Sequence, residues 1–143
     1  MNRRSLLAAS SFVAAAAAIS KASAATGSAH QHMAADAALI TTALNCIKTG
    51  ELCKAHCVMM LEQGDTSMAA CHRSVNETIA VCQALVSLAG QGSHAVHGMA
   101  KVALDVCKNC EKECRKLEAK HSVCKDCADA CAACAKECQR VGA

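Results

Sequence analysis

Along most of the chain, apolar residues return at the steps that keep to one face of an α-helix. In the last segment Cys124, Cys127, Cys131, Cys134 and Cys138 take every a and d position of two heptads. Ala103, Cys107, Cys110, Cys114 and Leu117 form the same seam in the segment before it, and Met68, Cys71, Val75, Thr78, Cys82 and Leu85 do so in the second. Leu39, Ala43, Cys46, Cys53, Cys57 and Met60 form the seam of the first. The charged Lys112, Glu113, Lys116, Lys125, Asp129 and Lys136 fall off these seams. Breaks stand at Gly64-Asp65-Thr66-Ser67 and Gly90-Gln91-Gly92-Ser93, with a weaker one at Lys120-His121-Ser122. Each pairs a helix-ending residue or basic end with an Asp or Ser able to cap the next helix. The pattern predicts four helices, near 34–63, 66–89, 93–119 and 122–141, with Gly50 a local weak point in the first. Short loops force antiparallel neighbours. The expected fold class is therefore all-α, an antiparallel four-helix bundle with a cysteine-lined core.

Composition sharpens this picture. The 143 residues suffice for one domain and contain no Pro, Trp or Tyr; the only Phe is Phe12. The core must be built from Ala, Leu, Val, Ile, Met and Cys, and a chain rich in Ala and Lys favours helix over strand. Residues 1–24 read as a removable export address. Arg3-Arg4 is a charged start, Leu6–Ile19 an apolar run too short to span a bilayer, and Ala22-Ser23-Ala24 a small-residue cleavage site. Asn2-Arg3-Arg4-Ser5-Leu6-Leu7 looks like a twin-arginine signal, which implies export from a bacterial cytoplasm to the periplasm. Residues 25–32 are expected as a loose tail and 33–143 as the bundle, with no membrane span in the mature chain. The overall charge of +3 is misleading, because Arg3, Arg4 and Lys21 belong to the address. Without them the basic residues number 12, equal to the acidic ones. No basic stripe and no aromatic platform suggests a nucleic-acid partner.

All 13 cysteines lie in the mature part, and the four helices contribute 3, 2, 3 and 5 of them to one interior. One or two would be ordinary small core residues. Thirteen on shared seams call for another account. Disulfides fit export, but the number is odd. Helical i,i+3 and i,i+4 neighbours also hold their Cβ atoms about 5–6 Å apart, too far for a bridge. A closed zinc site uses four ligands, usually presented by turns, and four thiolates around Zn²⁺ leave two negative charges to bury. Iron–sulfur ligation uses loop runs of other spacing. Copper(I) fits the residues better. It is soft, accepts two or three thiolate or thioether ligands, and forms a neutral unit with each thiolate. Plain core packing and disulfides stay open as weaker readings.

A second group of soft ligands surrounds the first loop: Met59, Met60, Met68 and His72, with His56 one turn further in. This end of an antiparallel bundle also receives the end of the third helix and the start of the fourth. A mouth of thioethers and imidazoles would pass copper inward to thiolates; the alternative is that the methionines pack the bundle end. His30, His32, Met33, His94, His97 and Met99 gather near the other end and read as surface residues.

The spacing Cys46-x6-Cys53-x3-Cys57, then Cys71, Cys82, Cys107-x2-Cys110-x3-Cys114 and the five-cysteine final helix resembles the exported copper storage proteins of methane-oxidising bacteria. The resemblance covers the whole mature segment. It implies a homotetramer that holds Cu(I) on core thiolates, about one ion per cysteine, for a copper-dependent methane monooxygenase or another copper-accepting enzyme or chaperone. It also implies a His and three Met at the open end. His56, Met60 and Met68 match three of these, and the remaining Met position falls on Gln63. The expected metal ligands are thus Cys46, Cys53, Cys57, Cys71, Cys82, Cys107, Cys110, Cys114, Cys124, Cys127, Cys131, Cys134, Cys138, His56, Met60 and Met68. No catalytic triad, phosphate loop or paired-carboxylate signature points to an enzyme. A thiol redox enzyme would need its Cys-x-x-Cys at a helix start within a βαβ unit, and no strand pattern exists. General sequestration of zinc, cadmium or copper is the alternative function.

Overall fold

In the computed structural model the described residues are 23–143, with side chains described from Ala37 onward. Four helices make up this part: α1 (Ser23–Glu62), α2 (Ala69–Gly90), α3 (Val96–Arg115) and α4 (Ser122–Gly142). A 3-10 turn at Thr66–Met68 precedes α2. Helices α1 and α2, α2 and α3, α3 and α4, and α4 and α1 pack as neighbours, which closes a square bundle. Among the described residues no helix is long and apolar enough to cross a membrane.

Two of the three loops close on glycine. At Gly64, φ is 88°; Asp65 N–H donates to Met60 O at 3.0 Å and Gly64 N–H to Leu61 O at 2.9 Å. At Gly92, φ is 62°; Ser93 N–H donates to Leu88 O at 3.0 Å and Gly92 N–H to Ala89 O at 3.1 Å. Each is a Schellman stop, which needs a residue without a Cβ at the left-handed position. Asp65 caps the 3-10 turn, accepting from Ser67 N at 3.0 Å and from Ser67 Oγ at 2.6 Å. The third loop has no glycine. There His121 and Lys120 donate to Leu117 O at 3.0 and 3.1 Å.

Some boundaries differ from expectation. Helix α3 begins at Val96 rather than 93, because Ser93 is used in the Schellman stop and its hydroxyl accepts from Ala95 N at 3.2 Å. It ends at Arg115 rather than 119, where Leu117 N–H turns back to Cys114 O at 3.0 Å and the chain continues as tight turns. Ser122 is the first residue of α4 and not its cap. The segment 25–32, expected as a loose tail, is helical, continuous with α1 from Ser23. It holds no Pro to stop the helix that runs on into α1. Residues 1–22, nearly all of the expected export address, lie outside the described residues.

The seams face the core as the periodicity demands. Every seam residue is buried except Met60 and Leu117, which are half-buried at the loop ends. Apart from sulfur, the largest fully buried side chains are Leu39, Leu85 and Val75, with Met68 at one end. Gly50 proves to be a seam residue: a Cβ there would lie 3.0 Å from Ile79 Cγ1 and 3.7 Å from Val75 Cγ1. Its lack of a side chain lets α1 and α2 approach closely. Buried hydroxyls are satisfied by backbone: Ser74 Oγ donates to Cys71 O at 2.9 Å and Thr78 Oγ1 to Val106 O at 3.2 Å.

Candidate metal centre

All thirteen cysteines are free thiols and all are buried. Their exposures do not exceed 1%. The helices therefore place in one column what the heptads placed on four seams. Three groups of three sulfurs form toward the first loop: Cys53, Cys71 and Cys124; Cys53, Cys114 and Cys127; and Cys110, Cys127 and Cys131. A fourth group lies deeper and takes one cysteine from each helix, Cys46, Cys82, Cys107 and Cys134. Within each group the Sγ atoms lie within 4.8 Å of one another. The shortest contacts are Cys46 to Cys131 and Cys71 to Cys114, both 3.4 Å. Cys53 to Cys71 is 3.7 Å, and Cys53 to Cys124 and Cys82 to Cys107 are 3.9 Å. Cys57 neighbours Cys124, Cys53 and Cys71 at one end of the column, and Cys138 lies 3.9 Å from Cys134 at the other.

Proton affinity within the column is uneven. Hydrogen bonds to Cys107, Cys134 and Cys46, with burial added, push the Cys82 thiol up. Those to Cys107, Cys110, Cys127 and Cys46 do the same for Cys131. Hydrogen bonds from Cys107 and Cys131 hold Cys46 down to about 5. Cys124 is held down by Cys53, Cys57 and Cys71. A few sulfurs thus act as acceptors for surrounding thiols, because a dry interior cannot hold thirteen negative charges. A soft monocation that replaces each proton leaves the column neutral.

At the first-loop end His56 Nε2 lies 2.9 Å from His121 Nδ1, with ring centroids 4.8 Å apart. Met60 is half-buried and Met68 fully buried beside this end of the core. Met59, by contrast, is 46% exposed on the outer face of α1, as its position next to Met60 requires. His72 is engaged with Asn76 at 3.2 Å. This end of the bundle therefore gathers His56, Met60 and Met68, together with His121, which sequence reasoning did not single out. The signal was present: the bundle topology sends the start of α4 to this end, and His121 precedes Cys124 by less than one helical turn. At the opposite end His94 and His97 are surface residues, and His97 Nδ1 donates to Val141 O at 2.9 Å. The side chains of His30, His32 and Met33 lie outside those described.

No curated protein matches the sequence. Among solved structures, the bundle is similar to a Cu(I)-bound copper storage protein, BsCsp3. The TM-score is 0.70 and the identity 27%, over 76% of this chain and 99% of that one. It is also similar to apo copper storage protein 3 from Bacillus subtilis, with a TM-score of 0.65 and 27% identity over 74% of this chain and 97% of that one. The sequence profile of the copper storage proteins (Csp) matches residues 33–143, the whole span from the middle of α1 to the chain end. With its sulfur column, its four-helix square and that match, the chain belongs to the copper storage protein family.

Proposed function

We propose that this protein stores copper(I) as cargo, many ions per chain, on the thiolates of its core, and that it catalyses no reaction. The observation that carries this reading is the column of thirteen buried free thiols in overlapping groups. Adjacent sulfurs 3.4–3.9 Å apart suit ions bridged by two or three thiolates. The similar Cu(I)-bound copper storage structure supports the same cargo. His56 and His121, with Met60 and Met68, form the mouth through which ions enter and leave. Thioether and imidazole bind Cu(I) more weakly than thiolate, which suits transient capture. The stored copper serves a copper-accepting enzyme or chaperone, a methane monooxygenase in the case that the sequence resemblance implies. The twin-arginine pattern supports action in the periplasm. Among the described residues, four of the five exposed large apolar ones, Leu44, Leu52, Val58 and Met59, lie on α1 and support self-association, as a homotetramer would require.

The test is anaerobic Cu(I) titration of the reduced mature chain, with metal counted by elemental analysis. Uptake should saturate near the cysteine count, about one ion per thiolate. Saturation at three or four ions refutes storage on the full column. One observation favours a second reading, general sequestration of soft metals. The four sulfurs of Cys46, Cys82, Cys107 and Cys134 also suit a tetrahedral Zn²⁺ or Cd²⁺ ion. Competition decides between them: zinc should displace little copper from a store, and should compete evenly in a general scavenger.

A further inference from the structure

The sulfur column is not uniform along its length. The three-sulfur groups use Cys53, Cys71, Cys110, Cys114, Cys124, Cys127 and Cys131, and none includes a member of the deeper four-sulfur group. The 3.4 Å contact between Cys131 and Cys46 joins the two sets. On the mouth side Cys131 shares a group with Cys110 and Cys127.

The cause of this narrowing lies in α1 and α2. Between Cys46 and Cys53 the α1 seam carries Gly50, which has no ligand atom. Between Cys71 and Cys82 the α2 seam carries Val75 and Thr78. Val75 and Ile79 close over Gly50, at 3.7 and 3.0 Å from where its Cβ would stand. At this level only α3 and α4 supply sulfur. Beyond Cys138 the core is apolar, with Leu39, Leu85 and Ala100 fully buried, so the deep end is stoppered.

We propose that the store is two chambers in series, with the Cys131 thiolate as the single stepping stone between them. Copper(I) moves by exchanging one thiolate for the next. Each move needs the incoming sulfur within reach before the outgoing one lets go. The outer chamber holds Cys53, Cys57, Cys71, Cys110, Cys114, Cys124 and Cys127 and exchanges with the mouth. The inner chamber holds Cys46, Cys82, Cys107, Cys134 and Cys138 and exchanges only through Cys131. The cell thus has a quickly mobilised pool and a retained pool in one chain. This inference rests on the storage reading, and the two fail differently: total capacity tests storage, while the phases of transfer test the neck.

The experiment is stopped-flow withdrawal of copper from the fully loaded protein by an excess of a coloured Cu(I) chelator. The parent should empty in two phases, with amplitudes in a ratio of about eight (the seven outer sulfurs and Cys131) to five if each cysteine holds one ion. Cys131→Ser replaces the stepping stone with a hydroxyl that Cu(I) binds poorly. It should keep the fast phase and slow the second at least about tenfold, a barrier higher by about 1.4 kcal/mol. Cys124→Ser, in the outer chamber, should lose about one ion of capacity and slow the second phase far less than Cys131→Ser does. Val75→Cys adds a sulfur to α2 at the level of the neck and should speed the slow phase; it serves as the deciding variant if Cys131→Ser does not fold. A parent that empties in one phase overturns the proposal. So does a Cys131→Ser slow phase equal to that of Cys124→Ser, or a Val75→Cys slow phase no faster than that of the parent.

Discussion

Replacing Leu85 with Ala should bring the metal-free protein close to unfolding and leave the copper-loaded one folded. Leu85 is fully buried at the stoppered end of the bundle, in a core whose only other buried non-cysteine side chains of its bulk are Leu39, Met68 and Ile79. The same core includes Ala43, Ala89, Ala100 and Ala103, all buried and none able to extend into a void. Leu→Ala in a core costs about 2.7–5 kcal/mol, the larger values applying where the site cannot collapse. The upper half of that range, about 4 kcal/mol, is expected here. A domain of this size typically has about 5–15 kcal/mol in all, so the apo variant would sit near its unfolding threshold. The melting temperature should fall by roughly 16 °C or more, at about 4 °C per kcal/mol. Bound copper changes this. Ions that bind only the folded state add RT ln(1 + [L]/Kd), about 4 kcal/mol for one site at a thousandfold excess over its Kd. Anaerobic urea unfolding with a thiol reductant, followed by circular dichroism, measures both states. The loaded variant should unfold well beyond the apo variant, by the margin that copper gives the parent, and should keep a deficit of about 4 kcal/mol against the loaded parent. An apo loss below about 1 kcal/mol would refute the claim that the scarce leucines carry the metal-free core. A loaded variant no more stable than the apo variant would refute the claim that bound copper supports the fold.

Three further outcomes are expected of the site. Changing His56 and His121 together to Phe should slow loading from a chelated Cu(I) donor by on the order of tenfold, with final capacity unchanged because no core thiol is touched. Equal loading rates in variant and parent would remove the mouth assignment and turn attention to His94 and His97. Copper uptake should release about one proton per thiol that burial and its neighbours keep protonated, as at Cys82, Cys114 and Cys131, measured in a weakly buffered indicator solution. Since the ion displaces protons from groups whose affinity for them is raised, binding weakens as pH falls, by up to about tenfold per pH unit for each proton released.

The heptad seams made most of the fold readable, because cysteine, alanine and leucine recur on one stripe and charges leave it. Gly64 and Gly92 marked their loops for a local reason, the need for a positive φ. The third loop was harder to place. It stops α3 with turns around Leu117, in a stretch whose residues all tolerate helix, and propensity alone carried the expected boundary four residues too far. Gly50 was legible as a weak point but not as a seam residue, since its role depends on Ile79 and Val75 arriving from α2. The thirteen thiols were recognisable from spacing, but their division into groups was not. Which sulfurs meet depends on the relative heights of four helices, a quantity that no single helix encodes. His121 escaped for the same reason: its partner His56 lies 65 positions away.

The loop that carries His121 differs in construction from the loop facing it across the mouth. The α1–α2 connection is locked by backbone at Gly64 and by the Asp65 carboxylate. The α3–α4 connection is closed by backbone hydrogen bonds to Leu117 O and adds Arg115, whose guanidinium reaches Glu118 at 2.9 Å and Asp129 at 2.7 Å, all of them partly in solvent. Exposed ion pairs of this kind are worth about 0–1 kcal/mol and weaken with salt. Salt should therefore loosen the second connection slightly and leave the first unchanged, without disturbing a single sulfur.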